Sequence, residues 1–182
     1  EAQLVGDRRG ERHERAHGRA GFAVLLKRLD ERAAKFLEAA TNAKVDRARA
    51  YRELARAAEV VVVEGAGGFV IPLNARETSA DLARRLGLPV VLVVGMRLGC
   101  LNHALLTRAA IAREGLACAG WLANCMQTDM PCLDENIETL KERLDAPFLG
   151  RLPWLGRHDP AAAARCMDWE ALAGAQGGGR SG

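Results

Sequence analysis

The sequence predicts an α/β fold in which a mostly parallel sheet is flanked by helices. Two short apolar runs, residues 60–63 and 90–94, are rich in valine, and each leads into a glycine-containing turn. Helical patterns separate these runs from each other and from two weaker strand candidates, residues 119–123 and Phe148–Leu152. Strands that are apolar on both faces and alternate with helices are typical of a parallel sheet that is covered on both sides.

Apolar residues at intervals of three and four predict five helices, at residues 25–40, 46–58, 79–86, 101–114 and 133–144. Ser79 is expected to cap the third helix, and Gly87 and Gly115 to follow the third and fourth helices in the left-handed conformation. Three prolines fall at expected strand edges, where a missing N–H is tolerated: Pro89, Pro147 and Pro153.

Length and composition favour one globular domain. The chain has 182 residues, of which 49% are hydrophobic, and it contains no run that approaches the roughly 18 apolar residues of a membrane span. No secretory signal is visible, and the missing initiator Met suggests processing or a fragment. The five cysteines are odd in number and form no C-x-x-C pair, which favours reduced thiols and a cytoplasmic location over disulfides or a zinc site.

Charge and composition divide the chain into three segments. Residues 1–45 form an uncertain basic and helical segment, residues 46–173 an α/β domain, and residues 174–182 a glycine-rich tail that is expected to be disordered. The first 56 residues carry 14 basic against 9 acidic side chains. A nucleic-acid-binding arm and a solvated arm both fit this bias. The absence of aromatic residues from Arg8 to Arg19 favours the solvated arm, so neither nucleic acid nor membrane is an expected partner.

The first candidate site follows the first apolar run. Glu64 is expected at the carboxyl end of a parallel strand, where such sheets bind ligands, and glycines 65, 67 and 68 let backbone N–H groups approach an anion. A carboxylate next to phosphates needs a cation between them, so Glu64 suggests Mg²⁺. The alternative is a glycine-rich turn in which nearby N–H groups bind Glu64.

The second candidate site follows the second apolar run and opens a helix. Free N–H groups at Gly99, Cys100, Leu101 and Asn102 would form an anion site at the positive end of the helix dipole. A simple loop capped by Asn102 is the alternative. Arg97 either binds an anion or is solvated. His103 is expected to be a packed or surface residue, and Cys100 lacks the partners of a nucleophile.

The third candidate site lies at the ends of the last two predicted strands. Asn124 ends one strand with an amide, and Pro153, Trp154 and Leu155 follow the other. An amide next to a proline-stiffened loop suits the edge and face of a purine. A structural Asn with a hydrophobic plug is the alternative.

Five stretches together resemble dethiobiotin synthetase, the ATP-dependent ring-closing ligase of biotin biosynthesis: VVVEGAGG, LPVVLVVGMRLGCLNHALLT, GWLAN, NIETL and LGRLPWL. The resemblance covers roughly residues 51–155, in the order of the family. It implies a P-loop NTPase-like fold and a homodimer. The reaction of the family joins CO₂ to 7,8-diaminononanoate as a carbamate, which MgATP phosphorylates before the second amine closes the ring and expels phosphate.

The resemblance also assigns roles to the residues of the three candidate sites. Glu64 matches the magnesium ligand of the family, and Glu64, Gly65, Ala66 and Gly67 match its nucleotide contacts. The adenine side is matched by Asn124, Cys125, Pro153, Trp154 and Leu155. The substrate carboxylate site, reached across the dimer interface, is matched by Gly99, Cys100, Leu101 and Asn102.

The amino-terminal part departs from the family. The sequence contains no G-x-x-x-x-G-K-[ST] phosphate loop, and Lys27, Lys35 and Lys44 cannot be matched to the catalytic lysine, so no catalytic residue is assigned. Cys125 and Ala161 stand where the family usually carries polar or acidic residues. The amino-terminal part is therefore expected to be missing or altered, and the chain alone poorly folded or inactive. The alternative function is a non-catalytic remnant that acts as a binding or dimerisation module.

Overall fold

A computed structural model describes residues 21–23, 47–58, 61–65, 67–157 and 159–177. Its elements are β1 (Gly21–Ala23), α1 (Arg47–Ala55), α2 (Ser79–Leu86), β2 (Val90–Met96), α3 (Cys100–Arg113), β3 (Cys118–Cys125), α4 (Leu133–Arg143), β4 (Phe148–Leu152), α5 (Pro160–Ala164) and α6 (Trp169–Gly177). The helix predicted at residues 25–40 lies outside the described residues, as does nearly all of the basic arm.

The sheet confirms the predicted α/β architecture. Its strands lie in the order β1-β2-β3-β4, and β2, β3 and β4 are parallel to one another. The three-residue β1 pairs antiparallel with the outer edge of β2 and has no counterpart in the prediction, because so short a segment carries no periodic signal. Helices α3 and α4 connect the parallel strands, as a parallel sheet requires.

The strand predicted at residues 60–63 is wrong for the residues that the structure describes. Residues 61–65 have no regular secondary structure, although Val62 is buried. Both edges of β2 are occupied, by β1 on one side and β3 on the other, so residues 61–63 cannot pair with that strand. The valine-rich pattern of this segment therefore indicates that it is buried, and not that it pairs as a strand.

Thr78, and not Ser79 as predicted, caps α2. The Thr78 hydroxyl accepts a hydrogen bond from the Asp81 N–H, and the Asp81 carboxylate accepts one from the Thr78 N–H, which completes a capping box. The Thr78 hydroxyl also donates to the Asp81 carboxylate over 2.8 Å, and the hydrogen bonds from the Thr78 backbone and side chain lower the pKa of Asp81 below its ordinary value. The capping box therefore depends on an ionised Asp81.

Ser79 instead connects residues 69–71, which follow Gly67 and Gly68, to α2. Its hydroxyl donates to the Phe69 carbonyl over 2.6 Å and accepts from the Ile71 N–H over 2.9 Å, and its own N–H donates to the Ile71 carbonyl. Phe69 is buried against Ala80 and Ala83 of the same helix. Residues 69–71 are thus fixed to α2 by three hydrogen bonds and by apolar packing.

The other helix boundaries mostly agree with the prediction. Gly87 ends α2 and Gly115 follows α3, both with positive φ, at 64° and 72°. Helix α1 is shorter than predicted, and α6 extends to Gly177. The expectation that residues 174–177 are disordered is therefore wrong. Asp168 accepts a hydrogen bond from the Ala171 N–H in the first turn of α6, and this helix packs against β3 and β4.

Two groups of buried residues form the core, as expected for a sheet covered on both faces. The larger group joins β2 and β3 to α3 and α4, with Trp121 at its centre: Leu92, Val94, Met96, Cys100, Ala104, Trp121, Ala123, Ile137, Leu140 and Leu144. The smaller group joins α2 and α3 to the start of β2: Phe69, Ala80, Ala83, Val90 and Ile111. Both groups hold α3 in place, so the position of its amino terminus is fixed by the core.

Candidate active site

The three parallel strands end at the same edge of the sheet. Gly95 pairs with Asn124 and Met96 with Cys125, and Asn124 pairs in turn with Leu152. The residues that follow β2, β3 and β4 therefore leave the sheet next to one another. Parallel α/β sheets bind ligands in the crevice beyond these carboxyl ends.

The amino terminus of α3 offers three free N–H groups, where the sequence predicted four. Gly99 precedes the helix with φ at 90° and no side chain caps it. The Cys100 N–H donates to the Arg97 carbonyl over 3.0 Å, so it is not available to a ligand. Among the described residues, the N–H groups of Gly99, Leu101 and Asn102 have no such partner. Three N–H groups, and not four, are therefore available at the positive end of the helix.

Asn102 and Cys100 differ in accessibility within this row. Asn102 is exposed, so its amide can reach a ligand, whereas the Cys100 side chain is buried in the core. The burial of Cys100 agrees with the expectation that its thiol is not a nucleophile. Only the backbone of Cys100 then borders the site.

A cavity of about 560 Å³ joins the start of α3 to the glycine-rich segment. It is lined by Gly67, Gly68, Phe69, Val70, Ile71, Arg97, His103, Leu106, Thr107 and Ala110. Positions 103, 106, 107 and 110 have helical spacing and lie on one face of α3. The cavity thus has apolar walls, one glycine-lined end, and two side chains that can carry positive charge.

Gly67 and Gly68 present backbone and not side chains to this cavity. Gly67 and Gly68 have φ of 80° and 136°, which an L side chain rarely adopts. A Cβ at Gly67 would meet the Ile71 side chain at 3.8 Å, so the backbone conformation and not the available space requires glycine there. Ala66 lies outside the described residues.

Glu64 is exposed, and among the described residues its carboxylate makes no hydrogen bond or ion pair. No described N–H group therefore binds this carboxylate, as the alternative reading required, and the neighbouring Ala66 lies outside the described residues. Glu64 and the half-buried Gly65 do not line the cavity, which begins at Gly67. The carboxylate remains available to a ligand from solvent.

The residues after β3 and β4 form a separate part of the same edge. Asn124 is half-buried and its amide donates to the Met126 sulfur over 3.5 Å, while Cys125 is buried. Pro153 is exposed, Leu155 is half-buried, and 54% of the Trp154 surface is exposed. None of these residues lines the cavity, and neither do Gly99, Cys100, Leu101 and Asn102. Of the predicted site residues in the described part of the chain, only Gly67 lines it, together with the neighbouring Gly68 and Arg97.

Arg151 is a member of this edge that the sequence patterns did not indicate. Its guanidinium lies 2.8 Å from the Asp134 carboxylate. The neighbouring Cys125 side chain, through a hydrogen bond, and then Asp134 raise the pKa of Arg151 above its ordinary value. The contact joins β4 to the start of α4, and only the folded chain places these residues together.

Within the part of the chain that the structure describes, no group of three or more His, Cys, Asp or Glu side chains could enclose a metal ion. In the same residues no helix is both long and apolar enough to cross a membrane. All five cysteines are free thiols.

Comparison with known proteins identifies close relatives of this chain. It is 54% identical over 127 residues to the ATP-dependent dethiobiotin synthetase BioD of Aromatoleum aromaticum, covering 68% of this chain and 56% of the relative. It is 56% identical over 119 residues to the protein of the same name from Pseudomonas paraeruginosa, covering 65% of this chain and 52% of the relative. A third such protein, from Janthinobacterium sp., is 52% identical over 122 residues, covering 67% of this chain and 52% of the relative.

The chain spans about half the length of the curated relatives it matches. A family model described as an AAA domain matches residues 25–162, which is most of the chain and includes all three candidate sites. The parallel sheet, the flanking helices and the ligand edge agree with that family's α/β architecture. On these grounds the chain belongs to the AAA domain family, in the branch that resembles the dethiobiotin synthetases.

Proposed function

We propose that this chain supplies the substrate-binding part of a dethiobiotin synthetase, which joins CO₂ to 7,8-diaminononanoate and closes the ring with MgATP. The observation that carries the proposal is the row of free N–H groups at Gly99, Leu101 and Asn102 beside a cavity with apolar walls. A ligand with a carboxylate at one end and an aliphatic chain fits such a site. The similarity to proteins named dethiobiotin synthetase supports the choice of substrate.

In this proposal each part of the cavity binds one part of the substrate. The helix amides and the Asn102 side chain hold the tail carboxylate, because charge-assisted hydrogen bonds are about twice as strong as neutral ones. Val70, Ile71 and Leu106 pack against the methylene chain. Because the resemblance implies that this carboxylate site is reached across the dimer interface, the two amines then extend toward the nucleotide site of the partner subunit, where the carbamate forms. Holding both reactants in one geometry contributes more to phosphoryl transfer than covalent help does.

The proposal includes Mg²⁺ with Glu64 as its protein ligand. Magnesium bound with a nucleotide needs only one or two carboxylates, because phosphates and water fill its other positions. The carboxylate of Glu64, which is exposed and has no partner among the described residues, fits that chemistry, and a dedicated protein cage is not required. When bound, the ion would neutralise phosphate charge, while the N–H groups of the glycine-rich segment approach the phosphates closely.

We place the adenine of ATP against the residues after β3 and β4. Asn124 offers an amide that can exchange its weak hydrogen bond to Met126 for one to the edge of the base. Trp154, half exposed after Pro153, offers an apolar face. Cys125 and Leu155 complete the contacts that the resemblance implies.

A homodimer in the cytoplasm is the proposed state of the protein. Val70 and Leu106 at the cavity and Leu98 beside it are exposed by 47%, 61% and 98%, and apolar groups gathered in this way mark interaction surfaces. Five free thiols suit a reducing compartment. A monomer in sedimentation equilibrium at micromolar concentration would contradict the dimer.

Replacement of Glu64 by glutamine tests the magnesium assignment. The change keeps the size of the side chain and removes its charge, so the Mg²⁺ concentration needed for half-maximal ATP binding should rise roughly tenfold, as expected for losing a carboxylate next to a dication. Isothermal titration calorimetry with ATP at several Mg²⁺ concentrations measures the effect.

Glu142→Gln is the matched control, since Glu142 is an exposed residue of α4 remote from the ligand edge in the fold. It should leave the Mg²⁺ dependence unchanged. Equal Mg²⁺ dependence in Glu64→Gln and wild type would refute the role of Glu64. Incorporation of labelled bicarbonate into dethiobiotin tests the reaction itself, and its absence with MgATP and diamine present would count against the proposed function.

A further inference from the structure

Arg97 occupies a position at the cavity that the proposed function does not yet use. It follows β2 directly, is half-buried, and lines the cavity together with His103. Its carbonyl accepts the Cys100 N–H over 3.0 Å, which fixes the Arg97 backbone immediately before α3. The Arg97 backbone is therefore fixed two residues before Gly99, whose N–H is the first free amide of the row.

The charges around this cavity are unbalanced. No Asp or Glu is among the described residues that line it, whereas the Arg97 guanidinium carries a positive charge. Among the described residues the Arg97 guanidinium forms no ion pair, in contrast to Arg84, Arg85, Arg108, Arg113 and Arg151. A half-buried cation without a protein counterion favours an anionic ligand at that end of the cavity.

We propose that Arg97 is a specificity-determining residue whose guanidinium pairs with the carboxylate of the substrate. Backbone amides donate to any acceptor, so the helix amino terminus alone binds a carboxylate and, more weakly, a neutral carboxamide. A formal positive charge separates the two, because only the carboxylate forms an ion pair with it. This inference rests on the proposed function and adds the residue that selects an acid over its neutral analogue.

Calorimetry with two ligands tests this assignment on the full chain. The ligands are 7,8-diaminononanoate and its primary amide, which differ only at the tail. Arg97→Gln should weaken binding of the acid by roughly tenfold, because the carboxylate loses its ion pair and keeps only the helix amides. Binding of the amide should change less than about twofold, so the acid-to-amide preference falls.

Two further variants separate charge at this position from charge in general. Arg97→Lys keeps the charge and should retain most of the preference for the acid. Arg113→Gln removes a charge from the last turn of the same helix, where the guanidinium pairs with Glu114, and should leave both affinities unchanged. Thermal unfolding midpoints of all variants check that the fold is retained.

The outcomes distinguish this inference from the proposed function. An unchanged acid-to-amide preference in Arg97→Gln, with tight acid binding by the wild-type chain, overturns the role of Arg97 and leaves the function standing. Equal losses for acid and amide in Arg97→Gln also overturn it, because they indicate a structural role. Failure of the wild-type chain to bind the acid overturns the proposed function and the inference together.

Discussion

Replacing Gly150 by alanine should destabilise the fold by about 3–5 kcal/mol, because it adds backbone strain and a clash that cannot relax. Gly150 lies in β4 with φ at 134°. A Cβ there would overlap the backbone carbonyl oxygen of Cys166 and lie 3.5 Å from the Met167 Cα. These backbone atoms are held in place, since the Asp168 N–H donates to the Leu149 carbonyl over 2.7 Å.

Urea unfolding of Gly150→Ala and Gly115→Ala measures this effect against a matched control. Gly115 also has positive φ, at 72°, but a Cβ there would meet nothing within 4 Å. Its replacement should cost only the conformational strain, about 1 kcal/mol. If both variants lost the same stability, the close approach of residues 166–167 to β4 would be wrong.

Trp121→Ala should cost about 3–5 kcal/mol, the range for truncating a buried aromatic residue. Trp121 has no exposed surface and lies in the larger core group, with its ring centroid 4.6 Å from that of Phe148. The cavity left by the indole is bordered by β2, α3 and α4, which the rest of the core holds apart. Loss of this packing would also loosen the start of α3 and with it the substrate site.

Trp121→Phe separates packing from hydrogen bonding at the same position. The indole N–H is buried and has no hydrogen-bond partner among the described residues. Phenylalanine removes this unsatisfied donor and keeps most of the apolar contact, so the loss should be only about 1–2 kcal/mol. Chemical denaturation of both variants provides the comparison. A loss in Trp121→Phe as large as that in Trp121→Ala would show that the indole N–H is satisfied after all.

The strands were predictable where their local pattern coincided with pairing. Residues 90–94 and Phe148–Leu152 are apolar, are bounded by proline, and form β2 and β4. Residues 61–63 have an equally apolar pattern and form no strand among the described residues, because pairing depends on which segments, often distant in the sequence, occupy the edges of a strand such as β2. The apolar residues of a segment predict that it is buried, whereas its pairing as a strand depends on the other segments of the folded sheet.

In the candidate site, too, some features were predictable from local sequence and others depend on the folded chain. The helix predicted from residue 101 and the row of donors at its start follow from local sequence, whereas the left-handed conformation of Gly99 was not predicted. The loss of one donor to the Arg97 carbonyl depends on the conformation of a turn, which the pattern did not reveal. The meeting of Val70 and Ile71 with Leu106 in one cavity is a tertiary feature with no signal in either segment alone.

Amide chemical shifts measured while 7,8-diaminononanoate is titrated into ¹⁵N-labelled protein test the central claim most directly. If the amino terminus of α3 binds the carboxylate, the Gly99, Leu101 and Asn102 amide protons should shift downfield together and saturate with the ligand. The Cys100 amide, already bonded to Arg97, should move less. Saturable binding with shifts confined to other regions, or a Cys100 shift as large as its neighbours', would contradict the account.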